Sequence, residues 1–169
     1  MENEKTEKIS ISEKLTRLIV EYKKIIIISI VILVSAFALK IFLNLNQEKK
    51  NKEISELFIK AGIYLSNNDK SNASIIFKEI INSKNKFYSI LSLNNILEND
   101  LIKDNNEIIN LFEIVESLNI NKDHKDLLKI KKALYLKKIS REKQARKILE
   151  EIIQSKSIWK ETAKEILKN

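Results

Sequence analysis

ASIIFKEIINSK, Ala73 to Lys84, returns as ARKILEEIIQSK, Ala145 to Lys156, with seven of twelve positions identical at an offset of 72. The same offset pairs Ala61 with Ala133, Tyr64 with Leu136 and Phe87 with Trp159. An offset of 72 is two units of about 36 residues, the length of a helix pair. The spacing therefore predicts three helix-pair units, the middle one degenerate.

The rest of the chain fits that reading. It has 169 residues, no Pro and one Gly, Gly62, so long helices meet few breakers. Hydrophobic periodicity predicts helices near 48–66, 71–83, 87–99, 105–118, 124–138, 142–155 and 158–168, separated by polar links such as SNNDK and NINKD. Asp104 followed by Glu107 has the spacing of a capping box. No segment reads as a strand. The last helix, Ile158 to Leu167, is expected to cap the stack.

Ahead of the repeat stands KKIIIISIVILVSAFALKIF, Lys23 to Phe42. Ile25 to Leu43 is nineteen residues with one charge, Lys40. As a helix it rises about 28 Å, close to the ~30 Å hydrocarbon core of a bilayer. Lys40 lies one turn from the end, where its stem can snorkel to the interface. The Ile, Leu and Val residues outweigh two serines and that lysine on insertion scales. Ala36-Phe37-Ala38 also fits the small-x-small pattern of a signal-peptide cleavage site. The leader before Ile25 is long for a signal peptide, and apolarity resumes at Ile41, Phe42 and Leu43. We therefore expect an uncleaved transmembrane helix at 25–43, with release after Ala38 as the alternative. Lys5, Lys8, Lys14, Arg17, Lys23 and Lys24 before the span, against Lys49, Lys50, Lys52 and Lys60 after it, favour a cytoplasmic tail at 1–24. The repeat domain at 44–169 would then lie on the periplasmic side. No break separates Leu43 from Gln47, which allows the span to run on into the first repeat helix.

Positions in the two strong units resemble the tetratricopeptide repeat family. In that pattern the first helix of a pair carries a large residue, a small one and an aromatic, and the second an Ala with an aromatic four residues on. The matches are Leu57, Ala61, Tyr64, Ala73 and Phe77 in the first unit, and Ala133, Leu136, Ala145 and Leu149 in the last. The small residues let paired helices approach, and the large ones fill the hollow beside them. The usual proline between units is missing, with Asn85 near its place, and Lys129 stands at the first large position of the last unit. A generic array of helical hairpins predicts nearly the same architecture.

Composition excludes several chemistries. Without Cys the chain can form neither a disulfide nor a thiolate metal site. His124, the only histidine, stands in NKDHKD at an expected helix start, where a capping role or simple exposure accounts for it. No phosphate-binding loop, nucleophile elbow or HExxH is present. Adjacent carboxylates such as Glu150 and Glu151 diverge on a helix and read as solvated surface. We expect no enzyme and no cofactor.

Charge is uneven. Lys122 to Lys147 holds eleven Lys or Arg against three acidic residues, and this window carries the whole net charge of +8. Lys129, Lys132, Lys137, Arg141 and Arg146 are therefore candidates for a surface that meets an acidic partner or anionic lipid heads. An AT-rich genome filling an exposed face with lysine explains the same excess. One aromatic in the window, Tyr135, argues against nucleic acid.

The layout of short tail, single span and small helical repeat domain resembles the ancillary subunits of the bacterial Sec translocon (YfgM-like). The likeness rests on layout, size and Ala61, Tyr64, Ala73, Phe77, Ala133 and Ala145. It implies a non-enzymatic inner-membrane adaptor that docks near the translocon and binds periplasmic chaperones or emerging chains. The alternative is a signal-cleaved soluble periplasmic repeat protein acting in envelope assembly.

Overall fold

Apolar positions at helical spacing, polar links and the near absence of breakers favour helix throughout. A computed structural model describes residues 20–168. The tail expected at 1–24 lies mostly outside the described residues, including Lys5, Lys8, Lys14 and Arg17. Among the described residues there are seven helices and no strand: α1 Lys23–Ser66, α2 Lys70–Asn82, α3 Tyr88–Glu98, α4 Asn105–Glu116, α5 Lys122–Lys138, α6 Glu142–Gln154 and α7 Lys160–Lys168. The chain divides into two compact units, Met1–Lys49 and Lys50–Asn169.

The described part of the first unit is helix, and its large apolar side chains from Ile27 to Leu45 are exposed. It belongs to the one helix among the described residues that is long and apolar enough to cross a membrane. A signal sequence near an N-terminus has the same properties.

The second unit is built from helices joined by short turns. Where the first helix of each pair ends, the chain turns with one residue in the left-handed region: Asn68, Asp100 and Ser140, with φ of 59°, 48° and 60°. Asp69 N–H donates to the Tyr64 carbonyl at 2.8 Å, and Asn68 N–H to Leu65 at 3.0 Å. Arg141 to Leu136 (2.8 Å) and Ser140 to Lys137 (3.0 Å) repeat the arrangement. Leu101 N–H donates to the Ile96 carbonyl at 3.1 Å in the middle pair. These bonds satisfy carbonyls that a helix end leaves without partners, in the manner of a Schellman cap. The turn geometry thus recurs three times, although the middle segment lost its sequence likeness.

Helix starts are capped by side chains. Asp69 Oδ1 accepts from Asn72 N–H at 3.1 Å, Asp104 Oδ1 from Asn106 N–H at 2.8 Å, and Asn121 Oδ1 from His124 N–H at 2.9 Å. The capping box expected from Asp104 and Glu107 is only half made. Glu107 instead reaches across to Lys78 of α2 at 2.8 Å. A charged partner on a neighbouring helix competes better than a backbone amide already exposed to water. Asn85, near the position of the missing proline, starts α3 differently. Its Oδ1 accepts from the N–H groups of Phe87 (3.1 Å) and Tyr88 (3.0 Å), and its Nδ2 donates to Asn51 of α1 at 2.8 Å.

The core follows the repeat. Ala61, Ala73 and Phe77 are buried with Ile80, Leu93, Ile96, Leu111, Phe112 and Val115, while Leu57 and Tyr64 pack against them half-buried. Ala133, Leu136, Ala145 and Leu149 are buried with Ile130, Ile152 and Ala163. α5 divides the two clusters: Leu128 belongs to the first and Ile130 to the second. The buried alanines admit close approach of helices, because a methyl group holds the backbones apart least. In α7, Ala163 is buried, and Ile166 and Leu167 pack on the second cluster together with Trp159, just ahead of the helix. Ile158 stays exposed.

Candidate functional site: a groove between α3 and α5

Two first helices of successive pairs, α3 and α5, leave a groove between them. Phe87, Ile90, Leu91, Ile120, Leu127 and Leu128 supply its apolar lining, with a volume of about 420 Å3. Lys86, Lys131, His124 and the amides of Asn94, Asn119 and Asn121 supply its polar rim. No carboxylate lines it. Phe87 is 63% exposed, and its ring stands edge-on to Tyr88 at 5.1 Å between centroids. Tyr88 is itself held by Phe58 at 5.4 Å and by its hydroxyl, which donates to Ser55 Oγ at 2.9 Å. The exposed ring thus sits on a fixed base. Lys131 Nζ donates to Asn94 Oδ1 at 2.7 Å and ties the two walls together. An open apolar trough of this volume, rimmed by amides and cations, has room for a small ligand or for side chains of a peptide.

The basic residues picked from the sequence lie on α5 and at the start of α6, and each has a partner inside the chain. Lys132 is nearly covered, its side chain 12% exposed, and meets Glu116 at 3.0 Å and Glu113 at 4.0 Å. Lys129 meets Glu151 at 3.6 Å, and Arg146 meets Glu150 at 3.7 Å one helical turn on. Lys137 donates to the Ile166 carbonyl of α7 at 3.0 Å, and Arg141 to Asn106 Oδ1 of α4 at 2.7 Å. Lys132, Lys137 and Arg141 thus bind neighbouring helices. Lys143 and Lys147 of the same window are exposed and Lys125 is half-buried, and the side chains of all three make no ion pair or hydrogen bond among the described residues. Lys132, Arg141 and Lys147 also border a crevice of about 470 Å3 whose walls include Glu113 and Glu151, so its charge is mixed.

Sequence reasoning missed the groove because its residues fall mostly in the middle unit, where the repeat is degenerate. A weak signal was present: Phe87, Leu91 and Asn94 follow one another at helical spacing on one side of α3.

Few groups have altered acidity. Burial raises the Tyr135 phenol above its ordinary range, and Asp100 and Asp104 add to the shift against the opposing pull of Arg141. The hydrogen bonds from Asn72 hold the Asp69 carboxyl below its usual range. The hydrogen bond from Lys164 does the same for Glu161. Among the described residues no three His, Cys, Asp or Glu side chains gather as metal ligands would. His124 sits at the rim of the groove, its backbone engaged by the Asn121 cap.

No protein-family model matches the chain, and neither a curated protein nor a solved structure does.

Proposed function

We infer that the chain is a membrane-anchored adaptor for protein–protein interaction. The observation that carries this reading is the α3–α5 groove, with its exposed Phe87 and its rim free of carboxylates. The apolar helix supports the anchor, since its length and composition suit a bilayer. Three pairs with a repeated turn support a tetratricopeptide-like array, in which stacked pairs bury a quasi-one-dimensional core and offer an extended surface. On this reading the N-terminus is cytoplasmic and the helical domain periplasmic. The layout is that of an ancillary translocon subunit, placing a weak peptide-binding site beside emerging chains or their chaperones. Tethering raises the effective concentration at that site, so weak contacts suffice.

Crosslinking from the groove in native membranes tests the reading. A photoreactive residue at Leu91 is expected to capture a translocon subunit, a chaperone or an exported chain. Capture of none of these, with the span intact, overturns it. Ala36-Phe37-Ala38 keeps a second reading open, a soluble periplasmic repeat protein acting in envelope assembly. A mature protein beginning at Leu39 would replace the anchored form with that one.

A further inference from the structure

The turns that lead from the second helix of one pair to the first helix of the next share one edge of the second unit. Asn85 Nδ2, in the α2–α3 turn, donates to Asn51 Oδ1 near the start of that unit at 2.8 Å. Lys86 and Phe87 of the same turn and Asn119, Ile120 and Asn121 of the α4–α5 turn border one end of the groove. Lys122 Nζ donates to the Lys156 carbonyl of the α6–α7 turn at 3.1 Å, and Trp159 Nε1 to the Asp123 carbonyl at 3.0 Å. Asn51 and the three turns thus form one continuous edge.

This edge carries an excess of one sign of charge. Counted up to the first residue of the following helix, the stretches 83–88, 117–122 and 155–160 hold Lys84, Lys86, Lys122, Lys156 and Lys160 and no carboxylate. The opposite turns, 67–70, 99–105 and 139–142, hold four carboxylates and three cations. The five lysines are exposed, and among the described residues the side chains of Lys84, Lys86, Lys156 and Lys160 make no ion pair or hydrogen bond. Asp123 and Glu161 stand one residue further in, and Glu161 is already engaged by Lys164 at 2.7 Å. A helix dipole disfavours cations at helix starts, so the fold itself gives no reason to gather lysines here. Two large apolar residues of the same edge are also exposed, Phe87 at 63% and Ile158 at 70%.

We propose that this edge binds the anionic head groups of a lipid bilayer. The lysines meet the phosphates, and Ile158 and Phe87 enter the boundary between heads and acyl chains. The inference rests on the anchored reading above and adds a second membrane contact to it. Asn51, on the edge, is eight residues from Leu43 at the end of the apolar stretch, so even a fully extended connection holds the two within about 28 Å. Such a short tether keeps head groups at high effective concentration, and a weak contact suffices. Positive charge spread along an edge, interspersed with exposed apolar residues, matches a bilayer surface, whose charges are mobile and whose interior takes up the apolar groups.

The full-length chain reconstituted in vesicles tests this. Because the chain has no cysteine, one introduced residue carries a single fluorophore. A fluorophore on Ile158→Cys is expected to be quenched by spin-labelled lipid in vesicles of phosphatidylcholine with phosphatidylglycerol, and far less in phosphatidylcholine alone. One on Asn67→Cys, exposed on the opposite edge, is expected to stay bright in both. Raised salt, which needs no change to the lysines, should bring the Ile158→Cys quenching down to its phosphatidylcholine level. The combined Lys84→Glu, Lys156→Glu and Lys160→Glu change should do the same, with circular dichroism showing that the helices persist. None of these four positions lines the groove, so the result is independent of what the groove binds. Equal quenching in the two lipids overturns the proposal. So does quenching that survives raised salt, or that survives charge reversal in the folded chain. Extraction of the chain from the vesicles by alkaline carbonate is a separate outcome, which overturns the anchored reading and the proposal with it.

Discussion

Asn68 and Ser140, 72 residues apart, adopt the same left-handed conformation, with φ of 59° and 60°, and close the same pair of hydrogen bonds. Neither is glycine, the residue that enters this region without a Cβ penalty. Serine gains less than asparagine from local hydrogen bonding there. Ser140→Gly is therefore expected to stabilise the chain by about 0.5–1 kcal/mol, and Asn68→Gly by less. Urea unfolding of both variants checks the order.

Packing at the repeat alanines should be intolerant. Ala61 and Ala133 are fully buried in the two clusters. Replacing either by Leu forces helices apart and is expected to cost about 1–3 kcal/mol. Phe112→Ala, which empties a fully buried site against Tyr135, is expected to cost about 3–5 kcal/mol. Thermal unfolding of each variant gives the comparison.

Ser92 points the other way. It is fully buried, and its Oγ has no hydrogen-bond partner among the described residues. A hydroxyl buried without a partner costs about 1–3 kcal/mol in desolvation. Ser92→Ala is expected to stabilise the fold, most of it through that relief, with a slightly higher midpoint in urea. A loss of stability would show that the hydroxyl is satisfied in solution.

Tyr135 sets an alkaline limit. Its folded pKa is raised by burial. A raised pKa makes the folded state bind its proton more tightly than the unfolded chain does. The associated stability is complete below the unfolded pKa, about 10, and is lost as pH rises through the folded value. Stability should therefore fall above pH 10. Tyr135→Phe is expected to flatten that dependence, while losing the bond to Asn105 at neutral pH. Unfolding midpoints measured from pH 8 to 11 separate the two effects.

The groove can be disabled without unfolding the chain. Phe87 is exposed, so Phe87→Ser should change the thermal midpoint little. On the adaptor reading it is expected to reduce partner crosslinking several-fold. Lys143→Glu, on an exposed lysine, is the matched control on the basic stretch.

Local pattern and tertiary packing divided the work between them. The helix periods and the apolar stretch are local in sequence, and the repeat at an offset of 72 is visible by comparison, so the helical architecture and a helix long and apolar enough to cross a membrane could be read directly. Ala61, Ala73, Ala133 and Ala145 were legible as packing positions because a helix face repeats every turn or so and small residues mark close approach. Whether a charge is free was not legible. Lys132, Lys137 and Arg141 look like a basic patch in the sequence, yet they bind Glu116, the Ile166 carbonyl and Asn106 on other helices. The middle pair kept its turn at Asp100 after losing its sequence likeness, because backbone geometry tolerates more residue types than side-chain packing does. The groove and the basic edge arise only when helices distant in sequence are set side by side. Burial is a property of that arrangement, and so only the tertiary structure decided which apolar residues, Phe87, Ile59 and Ile63 among them, were left exposed.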